Sequence, residues 1–235
     1  MRERTRSDGF LRDFIAAVGA WGKQPALPLI SVLVWAGPGF IPDETALLVV
    51  ELLILLFSAG WAGTERIWYL RAFRGVGIRP TEAWNLTWSF VGRFVRLGLL
   101  VFLALMPALV IGYWNTSLML LAIAILGVPI DTALTFVLPA LSYSTNSVGA
   151  ALRIGLRMIR TEWPASAVYV LLPPLAMLAA VRVLPASKVG VAGRIGITVA
   201  TTLLYIAFKG ATAAFYLRRH DIGRNGAAFM EEPQS

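Results

Sequence analysis

Two apolar runs, Leu97 to Tyr113 and Ser117 to Ser142, stand back to back with only Trp114-Asn115-Thr116 between them. Each has the roughly 17 or more residues that a helix needs to cross the hydrocarbon core of a bilayer. A connection of three residues forces the two helices to lie antiparallel as neighbours. With 57% hydrophobic and only 14% charged residues, the chain cannot hide this much apolar surface in one soluble core. Most of it must face lipid.

The charge pattern carries the topology. The formal charge is +8, but the basic residues sit in short clusters between apolar runs rather than in one run, so they read as membrane topology and not as a nucleic-acid surface. Of the 21 lysines and arginines, all but Arg182, Lys188 and Arg194 fall in the N-terminal segment, in 61–96, in 143–163 or from Lys209 onward. Both termini are therefore expected on the cytoplasmic side of a bacterial inner membrane, with residues 37–43 and 184–192 outside. Cysteine is absent, which excludes disulfides, zinc–cysteine sites and thiol chemistry. Arg2, Arg4 and Arg6 open the chain as a signal peptide would. Asp8, Asp13, Pro25 and Pro28 then interrupt that pattern, and no small-x-small cleavage site follows.

In chain order the sequence predicts an all-α, polytopic bundle of about six spans in three hairpins, each preceded by a cytoplasmic amphipathic surface helix. In the first surface helix, over 9–23, Phe10, Phe14, Val18 and Trp21 oppose Arg12, Ala16 and Lys23. A short span from Pro25 to Trp35 closes at Gly37-Pro38-Gly39 and Pro42. The second span opens with Asp43-Glu44, is apolar to Trp61 except for Glu51, and continues as helix to Arg74. Thr81 is the expected N-cap of the second surface helix, with Trp84, Trp88, Val91 and Val95 on one face and Glu82, Asn85, Ser89, Arg93 and Arg96 on the other. The third span is Leu97 to Tyr113; the fourth, Ser117 to Ser142, is bent at Pro129 and Pro139. In the third surface helix Val148, Leu152, Gly155, Leu156, Ile159 and Trp163 oppose Arg153, Arg157 and Arg160, and the apolar face is expected to lie on lipid. Spans from Pro164 to Val183 and Gly193 to Leu217 follow, with a loop at Pro185 and Lys188 between them. Residues 1–218 thus form one membrane domain of three pseudo-repeats (9–74, 75–142 and 143–218), and 219–235 is expected to be a disordered cytoplasmic tail.

Residues support the repeat as well as hydropathy. Gly63-Thr-Glu65-Arg-Ile-Trp68-Tyr69-Leu70-Arg71 matches Gly210-Ala-Thr212-Ala-Ala-Phe215-Tyr216-Leu217-Arg218. Glu65 and Asp131 each stand 16 residues before the start of a surface helix, at Thr81 and Ser147. Pro139, then Ser147-Val-Gly-Ala-Ala-Leu-Arg153, then Arg160 and Trp163 ahead of a span resemble bacterial multi-pass membrane families over residues 75–218. These families include the membrane domain fused to some glycerophosphodiester phosphodiesterases. The resemblance implies a bacterial membrane bundle; with no catalytic domain alongside, it carries over neither phosphodiesterase activity nor site residues.

Few residue types here support catalysis. The single histidine, His220, lies in the tail, which removes serine–histidine and histidine–metal chemistry from the membrane part. No HExxH, phosphate loop or GxSxG occurs, and Gly190, Gly193 and Gly196 read as a helix-packing strip. Asp131, about 18 Å of helix rise from Tyr143, is deep enough to need a partner. It either caps a half-helix after Pro129 or pairs with Thr132 or Thr135, or it marks a broken-helix site of the kind transporters use. Glu65, Arg66, Tyr69, Asp131, Thr135, Thr212 and Tyr216 form the candidate polar cluster, with Glu65, Asp131 and Thr212 expected to converge. Lys209 is expected to snorkel to the cytoplasmic surface. Arg93, Arg96, Arg153, Arg157 and Arg160 are the expected contacts for anionic headgroups.

The leading expectation is a membrane protein without catalysis, cofactor or metal, which acts through lipid or a membrane-protein partner as a scaffold or accessory subunit. The alternatives are a transport component with a cytoplasm-facing cavity around Asp131 and, behind that, a carboxylate-dependent intramembrane enzyme.

Overall fold

Asn115 reverses the chain at the turn between the two apolar runs. Its side-chain oxygen accepts the backbone N–H of Leu118 at 3.0 Å, an N-cap, and it leaves Gly112 against Met119 where the two helices part. The computed structural model describes residues 7–40, 48–183 and 190–219. Among these the order is α1 (Ser7–Lys23), α2 (Ala26–Ala36), a 3-10 turn (Gly37–Phe40), α3 (Leu48–Phe73), α4 (Pro80–Trp114), α5 (Thr116–Tyr143), α6 (Val148–Thr161), α7 (Ala165–Val183) and α8 (Val191–Arg219). The described chain is all-α, without strands. The openings predicted at Asp43-Glu44 and Pro42, the loop at Pro185 and Lys188, and the tail from His220 lie outside the described residues.

Among the described residues, three segments are long and apolar enough to cross a membrane: Pro80–Trp114, Ile125–Tyr143 and Val191–Arg219. Ala26–Ala36 and Ala165–Ala176 are shorter apolar helices. At 1.5 Å per residue the 11 residues of α2 rise only about 16 Å, half the hydrocarbon core, so the expected first span is a half-span.

The second surface helix and the third span are one helix. α4 runs 35 residues without a break, because nothing between Arg93 and Leu97 interrupts a helix and Pro107 is absorbed within it. It begins one residue before the predicted cap: Arg79 is the N-cap and Pro80 takes the first turn, where proline's missing N–H costs nothing. α5 likewise continues through Pro129 and Pro139, so Asp131 does not cap a half-helix. α8 reaches Arg219, one residue into the predicted tail.

The amphipathic helices pack part of the predicted apolar face on protein and turn part of it outward. In α4 the buried stripe is Ala83, Thr87, Phe90, Phe94 and Leu97, while Trp84 and Trp88 point out. In α1 it is Asp13, Ala17 and Ala20, with Phe10, Phe14 and Trp21 of the predicted face packed beside them and Val18 outside. In α6 it is Val148, Ala151, Gly155 and Met158, with Leu152 and Ile159 of the predicted face packed beside them, while Leu156 and, past the end of the helix, Trp163 lie outside. The apolar face of α6 therefore rests on protein, and Gly155 lies against the backbone of Val137 in α5. The physical reason is common to all three. A helix at a membrane meets protein, lipid and water; small residues let backbones approach each other, and large apolar ones are equally content in lipid. The predicted glycine strip fails on the same ground, since a Cβ at Gly190 or Gly196 would meet no atom within 4 Å.

The centre is made by α3, α5 and α8, each in contact with the other two. One tyrosine from each helix closes a ring of hydrogen bonds. Tyr69 of α3 donates to the Ile206 carbonyl of α8 at 3.1 Å. Tyr216 of α8 shares a 2.7 Å bond with the Ser144 hydroxyl at the C-cap of α5. Tyr143 of α5 donates to the Arg66 carbonyl of α3 at 2.6 Å. Gly210 makes the close approach that this needs; a Cβ there would stand 2.6 Å from the Tyr69 ring and 2.7 Å from Ala17.

Candidate functional site

Beside the tyrosine ring lies a charged centre that hydropathy alone conceals. Glu65, in the second half of α3, has no solvent exposure, and its Oε2 receives Lys209 Nζ of α8 at 3.2 Å and the Trp35 indole N–H of α2 at 3.3 Å. The Lys209 ammonium lies over the rings of Trp35, at 3.6 Å from the centroid, and Tyr205, at 4.4 Å. Lys209 therefore does not snorkel. Only 9% of its side chain is exposed, because a buried carboxylate and two aromatic faces replace the water it would otherwise seek. Glu65 Oε1 has no hydrogen-bond partner among the described residues. The buried Arg66 turns back to donate to the Ala62 carbonyl, one turn earlier on its own helix.

A second buried cluster ties the two ends of the chain together. Arg218 near the end of α8 grips both oxygens of Asp13 in α1 at 2.7 Å, and the Tyr169 hydroxyl of α7 donates to Asp13 at 2.6 Å. Burial lifts the Asp13 carboxyl above the usual carboxylate range, against the opposing pull of Tyr169 and Arg218. Arg219 reaches Glu162 at 3.2 Å, and Arg71 pairs with Glu82 across the α3–α4 junction. These contacts gather α1, the α6–α7 junction and the end of α8 at one end of the bundle.

The predicted polar cluster divides. Glu65, Arg66, Tyr69, Thr212 and Tyr216 are buried where α3 and α8 meet, but the Thr212 hydroxyl is spent on the Phe208 carbonyl of its own helix. Asp131 lies within electrostatic reach of Tyr205 of α8, which Glu65 and Arg66 also reach, and Thr135 is half-buried on α5. Asp131 is exposed and lines a groove of about 290 Å³ between α5 and α7, with Gly127, Val128, Thr132, Leu171 and Pro174. Thr135 donates to the Asp131 backbone carbonyl at 3.0 Å and so leaves the carboxylate alone. Neither Glu65 nor Thr212 lines this groove. Among the described residues no hydrogen bond, ion pair or shared cavity joins Asp131 to Glu65 or Thr212.

Among the five predicted headgroup residues, Arg96, Arg153, Arg157 and Arg160 are exposed, and Arg93 is half-buried with its guanidinium 5.0 Å from the centre of the Phe90 ring. Arg96 also borders an open cavity of about 640 Å³ with Leu99, Leu100 and the first residues of α6.

Five residues of these clusters were missed from sequence as sites: Asp13, Tyr169, Arg218, Lys209 and Trp35. Asp13 had a visible signal, since it falls on the helical stripe of Phe10, Phe14 and Ala17, where a solvated acid would be out of place. Lys209 stands inside an apolar run beside Phe208 and shares with Glu65 the status of a charge with no nearby interface. Among the described residues, no group of three His, Asp or Glu side chains forms a metal-binding set. The chain matches no family model, no curated protein and no solved structure.

Proposed function

We propose that this chain is a non-enzymatic accessory or scaffold subunit of a bacterial cytoplasmic membrane, with both termini in the cytoplasm, that acts through its outer faces on anionic lipid and on a membrane partner. The observation that carries this reading is the division of labour in α6. Its small residues are spent on packing against α5, while Arg153, Arg157 and Arg160 run exposed along the helix beside the outward Leu156 and Trp163. Held by protein, such a helix keeps its basic edge available for headgroups, at about 1 kcal/mol per arginine near the surface. The charged centre supports the same reading, because Glu65, Lys209, Asp13 and Arg218 are engaged with one another across helices. A transport cavity around Asp131 has less support, because the groove that Asp131 lines includes neither Glu65 nor Thr212. The likeness of 139–163 to bacterial multi-pass domains is in keeping with the proposed membrane.

The test is reconstitution in phosphatidylcholine vesicles with increasing phosphatidylglycerol, with a fluorophore on Leu156→Cys reporting contact with quencher-bearing lipid. Quenching should rise with the anionic fraction in the parent and stay flat when Arg153, Arg157 and Arg160 are all glutamate. That triple variant should still fold, because its substitutions lie on the exposed edge. A parent indifferent to anionic lipid would remove the reading. For sidedness, Arg79→Cys and Gly149→Cys should resist an impermeant thiol reagent in intact cells while Asn115→Cys reacts; the reverse pattern would overturn the orientation.

A further inference from the structure

We infer that the groove between α5 and α7 seats a transmembrane helix of another protein, and that this helix carries a lysine or arginine near the middle of its span. The inference rests on the reading that the chain acts through its outer faces, and it names the partner chemistry of one of them.

The groove wall on α5 is a single helical stripe: Ile123, Gly127 and Asp131 at intervals of four, with Thr132 one place on. At Gly127 a Cβ would meet no atom within 4 Å, so this stretch of α5 is open to a close neighbour. Asp131 is exposed on the wall within electrostatic reach of Tyr205 of α8, and no hydrogen bond or ion pair of its carboxylate occurs among the described residues. α5 extends 15 residues before Asp131 and 12 after it, about 22 and 18 Å of helix, which puts the acid near mid-membrane. Headgroups cannot reach that depth, and lipid tails offer an acid nothing. Acids at such positions face another helix and pair with its polar groups. A small residue one turn from the acid is what allows the second backbone close enough for pairing.

Charge complementarity selects a different protein over a second copy. α5 has no lysine or arginine, and Lys209 of α8 is buried against Glu65. Arg93, Arg96, Arg194 and Arg218 stand toward helix ends or among interfacial residues. No described cation of this chain is therefore both outward and mid-span. The groove's volume of about 290 Å³ suits the side chains along one ridge of a helix, with its basic residue directed at Asp131.

The experiment uses the full chain in phosphatidylcholine vesicles with Val128→Cys, a groove residue that is 65% exposed. The probe is a synthetic leucine-rich transmembrane helix with one central lysine and a cysteine one turn away; the control helix has leucine in place of the lysine. Disulfide formation should be at least about tenfold faster with the lysine helix. Asp131→Asn should reduce it to the control rate, and Asp131→Lys should transfer the preference to a helix with a central glutamate. Leu171→Trp, which fills the groove from α7, should also abolish the preference; should Asp131→Asn fail to fold by circular dichroism, this variant decides. Equal rates for lysine and leucine helices, a preference that survives Asp131→Asn in folded protein, or faster joining of two copies than of chain and probe would each overturn the proposal. Failure here with an intact anionic-lipid response at Leu156 would remove the groove partner alone, whereas loss of both would remove the outer-face reading itself.

Discussion

Removing Lys209 should damage the fold far more than neutralising its partner Glu65. At 3.2 Å and an effective dielectric of about 20, the pair attracts by about 5 kcal/mol, a gross figure from which desolvation must be subtracted. Lys209→Met keeps the length of the side chain but leaves a fully buried carboxylate with only the Trp35 indole N–H at 3.3 Å and an Oε1 that already lacks a partner. Breaking a buried pair in this way costs about 3–5 kcal/mol. Glu65→Gln leaves the ammonium a carbonyl acceptor and its two aromatic faces, which contribute about 1–2 kcal/mol each when desolvated. Its net cost should be about 1–2 kcal/mol, in the range of a weakened hydrogen bond. In the Glu65→Gln background the further change Lys209→Met should be mild, because no buried charge is then stranded. Thermal unfolding in detergent, followed by circular dichroism, should show a drop of about 10 °C for Lys209→Met and about 3 °C for Glu65→Gln, at about 2–4 °C per kcal/mol for a chain of this size. Equal losses for the two single variants, or losses that simply add in the double, would refute the buried-pair account.

In α6, Gly155→Ala would put a Cβ 2.8 Å from the Val137 backbone nitrogen and should destabilise by about 1–3 kcal/mol, whereas Gly149→Ala meets nothing and should stabilise by about 0.5–1 kcal/mol in the same unfolding assay. Tyr143→Phe should cost about 1–3 kcal/mol by leaving the buried Arg66 carbonyl without its donor, and combining it with Tyr69→Phe should give a loss that departs from the sum. Asp13 binds its proton more tightly folded than unfolded, so its contribution is full below the ordinary carboxylate range, near about pH 4, and is lost as pH rises through its folded value. Asp13→Asn should remove that slope from the stability–pH curve above about pH 4; an unchanged slope would mean that burial does not dominate at Asp13.

Helix positions were legible in the sequence where an apolar run met a turn residue. α5, α7 and α8 begin and end within two residues of the spans read from Ser117, Pro164 and Gly193, because Asn115, Pro164 and the flanking charges punctuate them. Helix orientation was not legible, for a definite reason. In a soluble protein Trp84 and Trp88 would point inward, but here lipid accepts them and Thr87 with Phe90 takes the contact with Gly60 and Gly63. The same symmetry between core and lipid hid Lys209, whose long side chain is compatible with either an interface or a buried acid until the position of Glu65 is known. Asp131 was recognised as the residue of interest, but equal spacing from surface helices specifies depth and not azimuth. Its outward direction depends on how α5 is rotated against α7, which no residue count contains.

The ring of Tyr69, Tyr216 and Tyr143 answers that question of azimuth for the three central helices. Turning one of them about its own axis would exchange its apolar side chains with lipid at almost no cost, so polar contacts, the Glu65–Lys209 pair among them, set the angle rather than hydrophobicity. Each hydroxyl reaches an oxygen on the next helix around the circuit, and a turn of one helix by a single residue, about 100°, would break both the bond it makes and the bond it receives. The three helices are thereby phased to one another like meshed gears. The directions in which Asp131 and the α6 arginines look out from the bundle are inherited from that phase, set in part by three hydroxyls that touch neither of the surfaces they aim.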